Sequence, residues 1–262
     1  MNYMRIMNWK WLGLTSLCLA TASGLLRAES LNTLSDQEKQ AGWRLLWDGK
    51  TTAGWVSART KTFPTNGWTI KDGTLNVAES DGAESSRGGD IITAERYSNF
   101  ELTVDFKITP GANSGIKIFV QPDLSAITKS GIKTNLGSSI GLEYQLLDDL
   151  RHPDAKLGHD GNRTLGSLYD ILTASTNKHP NPIGEWNTAR IISQGKHVEH
   201  WLNGQKIVEY DRGSAAFRKA VAESKFSKIE GFGEWPNGHI LLQDHGNAAS
   251  FRNVKIRILP TH

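Results

Sequence analysis

"NTARIISQGKHVEHWLNGQKIVEY", residues Asn187–Tyr210, decides the fold. Its three runs, Asn187–Gln194, His197–Leu202 and Gln205–Tyr210, are short and alternate apolar with polar residues. A period of two places every second side chain on one face of a strand. Leu202-Asn203-Gly204 reads as a tight hairpin turn, because Asn-Gly tolerates the positive φ such turns demand. The same text runs outward from here. It predicts strands at Arg44–Trp47, Trp68–Lys71, Thr74–Val77, Asp90–Thr93, Phe100–Lys107, Ser114–Val120, Ile140–Leu147, His239–Gln243 and Phe251–Leu259, with Lys71-Asp72-Gly73 as a second hairpin turn. Helix is scarce: a short one over Asp36–Gly42 capped by Ser35, and an amphipathic one over Ser214–Ser224. About a dozen strands, with no repeat or linker, give an all-β chain of two packed antiparallel sheets, a sandwich or jelly roll.

Two polar segments rich in Gly, His and Pro interrupt the pattern, Asp123–Leu136 and Asp148–Pro182. Long loops in a compact domain are usually functional, so both are expected to wall a binding site.

The first 28 residues read as an export signal. Arg5 and Lys10 precede an apolar run from Trp11 to Leu26, and small residues offer cleavage after Ala22 or Ala28. The run is too short and too rich in Ser and Thr for a retained span. Residues 29–262 then form one domain, exported and expected in the periplasm. The single cysteine, Cys18, leaves with the signal, so the remainder has no disulfide to rely on. Arg5, Lys10 and Arg27 leave with it, and taking these three from the 30 basic residues leaves 27 against 27 acidic ones. A neutral protein gives no electrostatic reason to expect nucleic acid or an anionic membrane, and favours a small uncharged ligand.

Alternation also sorts polar residues by face. In "NSGIKIFV", Ile116, Ile118 and Val120 are expected in the core, with Asn113, Lys117 and Phe119 opposite. In "GLEYQLL", Leu142, Tyr144 and Leu146 face the core, leaving Glu143, Gln145 and Leu147. In "HILLQDH", Gln243 and His245 share the face of Leu241 and His239. A sheet face mixing polar and apolar groups, flanked by Trp and Tyr, suits a sugar: hydroxyls meet the polar groups and C–H surfaces meet the rings. Each residue alone has a plainer reading. Glu143 and Lys117 suit an exposed sheet face, and Asp244 an Asx turn. Trp201 suits the core, and Arg190 an ion pair with a neighbouring strand. No metal-ligand spacing is evident, since His152, His159 and Asp160 lie in one loop without the helical His pair of a zinc site. No nucleophile elbow is present either.

Taken in order, the landmarks "GWRLLWDGKTTAGW", "WTIKDGTL", "GGDIITAERYSNFELTVDFKITPGANSGI", "GLEYQLLDD", "GSLYDI", "GEWNTARIISQGKHVEHWLNGQKIVEY" and "GHILLQDHG…FRNVKIRIL" resemble the bacterial 3-keto-disaccharide hydrolase family, from Trp43 to Leu259. The resemblance implies a concanavalin-like jelly roll. It also implies cleavage of a sugar already oxidised at C3 by a partner 3-dehydrogenase: proton removal from C2, elimination at C1, and addition of water to the resulting 2-hydroxy-3-keto-glucal. On that reading Glu143, His245 and Lys117 are the catalytic set. Glu143 and His245 exchange protons, and Lys117 with Asn113 stabilises charge on the C3 oxygen. Asn113, Gln145, Tyr169, Asp170, Arg190, Trp201, Gln243 and Asp244 form the substrate-binding set, with Asp244 or Gln243 orienting the imidazole. A divalent cation could replace Lys117 as electrophile. Two rivals remain. A retaining glycosidase needs paired carboxylates about 5 Å apart, but Gln145 and Leu147 stand where a Glu-x-Asp-x-Glu strand would carry the others. A non-catalytic carbohydrate-binding module fits the sheet and the aromatics equally well.

Overall fold

The computed structural model describes residues 1, 30–80, 87–124, 126–127, 133–134 and 138–261. The expected signal segment therefore lies outside the described residues, apart from Met1, as does much of the segment 123–136.

The strands run β1 (Trp43–Leu45), β2 (Trp55–Ser57), β3 (Trp68–Lys71), β4 (Thr74–Val77), β5 (Ile91–Thr93), β6 (Phe100–Ile108), β7 (Asn113–Gln121), β8 (Ala126–Ile127), β9 (Lys133–Thr134), β10 (Ile140–Leu147), β11 (Asn187–Gln194), β12 (His197–Leu202), β13 (Gln205–Asp211), β14 (His239–Leu242) and β15 (Ala249–Ile258). They form an eight-stranded sheet in the order β13-β12-β11-β6-β15-β4-β3, with β1 added against β15, and a five-stranded sheet in the order β10-β7-β14-β5-β2. β8 and β9 make a separate hairpin. The pairings between these strands are antiparallel, so the fold is the all-β, two-sheet jelly roll that alternation predicts.

The core lies between the sheets. β6 contributes Phe100, Leu102, Val104, Phe106 and Ile108, one residue in two, which meet Ile116, Ile118, Leu142, Tyr144, Leu146, Ile240 and Leu242 from the five-stranded sheet. The two hairpin turns form as read: Asp72 and Gly73 have φ of 50° and 68°, Asn203 and Gly204 of 48° and 83°. α1 (Asp36–Gln40) carries a capping box between Ser35 and Glu38, and α2 (Ala215–Glu223) is capped by Ser214.

One strand departs from strict alternation. Along β7 the register slips, with His239 opposite Val120 but Leu241 opposite Lys117, and Phe119 takes φ 54°. Such a bulge reverses the faces beyond it. Phe119 therefore joins Ile116 and Ile118 in the main core, while Val120 moves to a small outer cluster with Ala58, Ile92 and Leu241. The expected placing of Val120 inside and Phe119 outside is thus corrected. Arg212 holds the bulge, its guanidinium 3.7 Å from the Phe119 ring centroid and donating to the carbonyls of Gly195, Gly233 and Trp235. A β-carbon on Gly238 would sit 2.2 Å from the Phe119 carbonyl carbon, so only glycine passes there.

Candidate active site

The outer face of the five-stranded sheet, away from the core, floors a cavity of about 940 Å³. β7 and β10 supply its floor, with Gln243 and His245 following β14. Residues 152–170 form one wall and 223–229 the other. The volume is at the upper end of small-ligand sites and ample for a disaccharide.

Gly115 opens the floor. It stands between Asn113 and Lys117 on the same face of β7. A β-carbon there would lie 2.6 Å from Oε1 of Glu143 and 3.1 Å from Oε1 of Gln243. Its lack of a side chain lets groups from the two flanking strands converge. Glu143 is the direct cross-strand partner of Lys117, and each is only 6% exposed. The Lys117 ammonium lies 3.2 Å from Oε2 of Glu143 and donates to Oγ of Ser138 at 2.6 Å and to the Ser139 carbonyl at 3.2 Å. The other Glu143 oxygen, Oε1, lies 3.1 Å from the Gln145 amide, which donates to it and to the Ser114 carbonyl in the orientation its partners require.

At the far end of the floor, Nε2 of His245 meets Nδ2 of Asn113 at 3.3 Å. The ring stands edge-on to His152, centroids 6.3 Å apart. His152 accepts a bond from the Asp154 amide through Nδ1, so its neutral ring carries the proton on Nε2. Burial, and then the neighbouring His245, hold the His152 pKa below the usual value, against the opposing pull of Asp154 and Asp148. Three buried polar atoms here have no partner among the described residues: Oδ1 of Asn113, Oε1 of Gln243 and Nδ1 of His245. Buried polar groups are rarely left unpaired, so this corner is suited to hydroxyls of a ligand.

The walls are braced by ion pairs. Tyr169 docks on β10 through its amide, bonded to the Glu143 carbonyl at 3.0 Å. Burial, and then the negative charges of Glu143 and Asp154, push its phenol pKa up. Its ring lies 5.4 Å from the Arg163 guanidinium and 4.3 Å from the Lys225 ammonium. Arg163 bonds Asp154 at 2.8 Å and Asp170 at 2.6 Å. Burial pulls its pKa down, but these two carboxylates outweigh it and raise the value. Asp170 also accepts from the Lys225 amide at 2.7 Å, tying one wall to the other.

Eight of the residues singled out from sequence thus line one cavity: Asn113, Lys117, Glu143, Gln145, Tyr169, Asp170, Gln243 and His245. Three do not. Asp244 turns beneath the floor and accepts from the amides of Gly88, Gly89 and Gly246, the last an Asx turn, so it does not orient the His245 imidazole. Arg190 and Trp201 lie on the outer face of the eight-stranded sheet, because Ala189, Ile191, Val198 and Leu202 take the inward positions of their strands. There Arg190 pairs with Glu101 at 2.5 Å and sits 4.9 Å from the Trp201 ring centroid, which realises its ion-pair reading. Lys117 reaches the site, but three acceptors among the described residues already surround its ammonium, so it offers a ligand charge rather than a hydrogen bond.

Sequence reading missed Ser138, Arg163 and Lys225, and weighed His152 only as a metal ligand. The walls lie in irregular loops where no periodicity assigns a face. Among the described residues, one His and carboxylate trio has metal-like spacing: His197, Glu199 and Glu209 on the outer face of the other sheet, with Lys206 bonded to both glutamates.

Comparison with known proteins identifies relatives of this fold. A 3-keto-disaccharide hydrolase of Bacteroides thetaiotaomicron is 34% identical over 251 residues, covering 89% of this chain and 84% of that protein. Two crystal structures from Parabacteroides distasonis, provisionally described as glycosyl hydrolases, superpose with TM-scores of 0.72 and 0.51, each at 29% identity. They cover 88% and 73% of this chain, and 100% and 90% of their own. The 3-keto-alpha-glucoside-1,2-lyase-like domain model matches residues 42–257, nearly all of the described fold, and the chain belongs to that family.

Proposed function

We propose that the protein cleaves 3-keto-glycosides by elimination across C1 and C2, followed by hydration. The ketone at C3 acidifies the hydrogen on C2. Glu143 takes that proton, the electrons pass into the C2–C3 bond and onto the C3 oxygen, and the enolate then expels the glycosidic oxygen from C1. His245 protonates the leaving oxygen. Water adds to the 2-hydroxy-3-keto-glucal, returning a proton to C2 and a hydroxyl to C1. The products are a 3-keto-sugar and the released alcohol. The Lys117 charge and the amides at the Asn113 end favour the enolate.

The observation that carries this reading is the single carboxylate on the floor among the described residues, that of Glu143. Glu143 faces the cavity between the Lys117 ammonium and the Gln145 amide, whereas the other buried carboxylates of the described lining, Asp154 and Asp170, are both tied to Arg163. That arrangement suits proton transfer at carbon better than the paired carboxylates of an ordinary glycosidase. Supply of the substrate falls to a sugar 3-dehydrogenase. Export places the chemistry in the periplasm.

The test sets a 3-keto-glucoside beside its parent glucoside. The enzyme is expected to release the alcohol from the first and ignore the second, and in heavy water the product carries deuterium at C2. Glu143→Gln is expected to lose at least ~10²-fold in rate. Equal cleavage of the parent, with no deuterium at C2, restores the ordinary hydrolase. Binding of both sugars without turnover makes the protein a binding module. The same assay after chelation, with divalent metal added back, decides whether a cation serves as electrophile.

A further inference from the structure

We propose that Asp90 is a positioning residue of this site: it shares the Lys117 ammonium with Glu143 and so keeps the Glu143 carboxylate basic. The inference rests on the reading of Glu143 as the base.

Asp90 lies just before β5 and is 4% exposed, as deeply set as Lys117 and Glu143. Both of its oxygens are pinned. Oδ1 accepts from the Asp244 amide at 3.0 Å, and Oδ2 accepts from the Ser139 amide at 3.1 Å and from the Ser138 hydroxyl. That hydroxyl in turn receives the Lys117 ammonium. One cation thus serves two buried carboxylates, directly at Glu143 and through Ser138 at Asp90. The neighbourhood is apolar: the cross-strand partner of Lys117 on β14 is Leu241, within the small cluster of Ala58, Ile92 and Val120.

The consequence follows from electrostatics. A buried glutamate paired alone with a lysine is held strongly in its charged form and becomes a poor base, whereas a second carboxylate on the same ammonium opposes that effect. Among the described residues, the other charged or titratable groups around Glu143 are Tyr169 beside it, Arg163 with its partners Asp154 and Asp170 and Lys225 beyond that ring, and His245 with His152 at the far end of the cavity. Burial raises the Asp90 carboxyl above its usual value, and the attraction of Lys117 together with the hydrogen bonds from Ser138 and from the Asp244 and Ser139 amides opposes that rise.

The experiment is a carboxyl ¹³C NMR titration of Glu143 in the free enzyme, its signal assigned by loss in E143Q. Asp90→Asn keeps the shape and one acceptor but removes the charge, and is expected to lower the Glu143 midpoint by about one pH unit. Lys117→Met should raise it, and the double variant should lie between. With a 3-keto-glucoside, the acidic limb of kcat/KM should move in step with the midpoint, a displacement that mere loosening of the fold would not produce. If D90N does not fold, Asp90→Ser carries the same expectation. A Glu143 midpoint unmoved by neutralising Asp90 overturns the proposal. Because the titration needs no substrate, failure of the wild type to cleave 3-keto-glycosides would remove the catalytic reading and leave this result distinct.

Discussion

Glycine at position 115 makes room for the site, since the Glu143 carboxylate and the Gln243 amide crowd the space a methyl group would fill. Gly115→Ala is expected to leave the fold intact by circular dichroism, because strand backbone accepts alanine readily. It should displace the Glu143 carboxylate and cut kcat/KM by about 10²-fold, the cost of a base moved by roughly 1 Å. Retention of wild-type kcat/KM would show that the carboxylate acts from elsewhere. Residues of this kind divide what sequence discloses from what it hides. Glu143 and Gln145 are legible because β10 alternates without interruption. Asp244 is not legible as a strut, since its partners Gly88 and Gly89 lie over 150 residues away. Asp90 reads as the plain opening of a strand until Ser138 brings Lys117 to it.

Among the elements, β3, β4, β10, β11 and β12 fall where alternation places them, residue for residue. β2 has three residues at the edge of its sheet, too few for a period to show. The bulge in β7 is invisible for another reason: "IKIFV" alternates well enough on paper, and only the packing of Arg212 and Gly238 against Phe119 selects the irregular backbone. The two sheets meet at a buried histidine that also titrates. His200 of β12 lies 5.0 Å from the Tyr144 ring of β10, its Nδ1 3.0 Å from the Gly166 carbonyl. Burial lowers its pKa to about 4, against the opposing effect of that bond. The folded protein therefore refuses a proton that the unfolded chain accepts below pH 6.5. The contribution is complete above pH 6.5 and is lost as pH falls from 6.5 to 4, amounting to about 3 kcal/mol. Urea unfolding of wild type and His200→Phe across that range is expected to show a shallower decline in the variant. Parallel curves would place the acid sensitivity in other groups.

At the scale of the molecule, the outer face of the larger sheet carries a lateral chain of contacts. Trp43 meets Arg257, Arg257 meets Glu101, Glu101 meets Arg190, and Arg190 meets Trp201. It links β1, β15, β6, β11 and β12, and it explains the Arg and Trp pair that alternation left open to a sugar-binding role. The export proposal also belongs to this scale. N-terminal sequencing of protein from the periplasmic fraction is expected to begin after Ala22 or Ala28, and an intact Met1 on cytoplasmic protein would refute it. β15 is the last strand along the chain, yet it lies inside the larger sheet between β6 and β4 and also receives β1. Asn253 within it exchanges reciprocal bonds with Asn32, 221 residues earlier. A nascent polypeptide has no such strand until residues Ala249–Ile258 leave the ribosome, and contacts of this span form slowly. The earlier strands meanwhile wait with their central neighbour missing. The architecture thus leaves the larger sheet open along its centre until late in synthesis, and makes its closing one of the last events of folding.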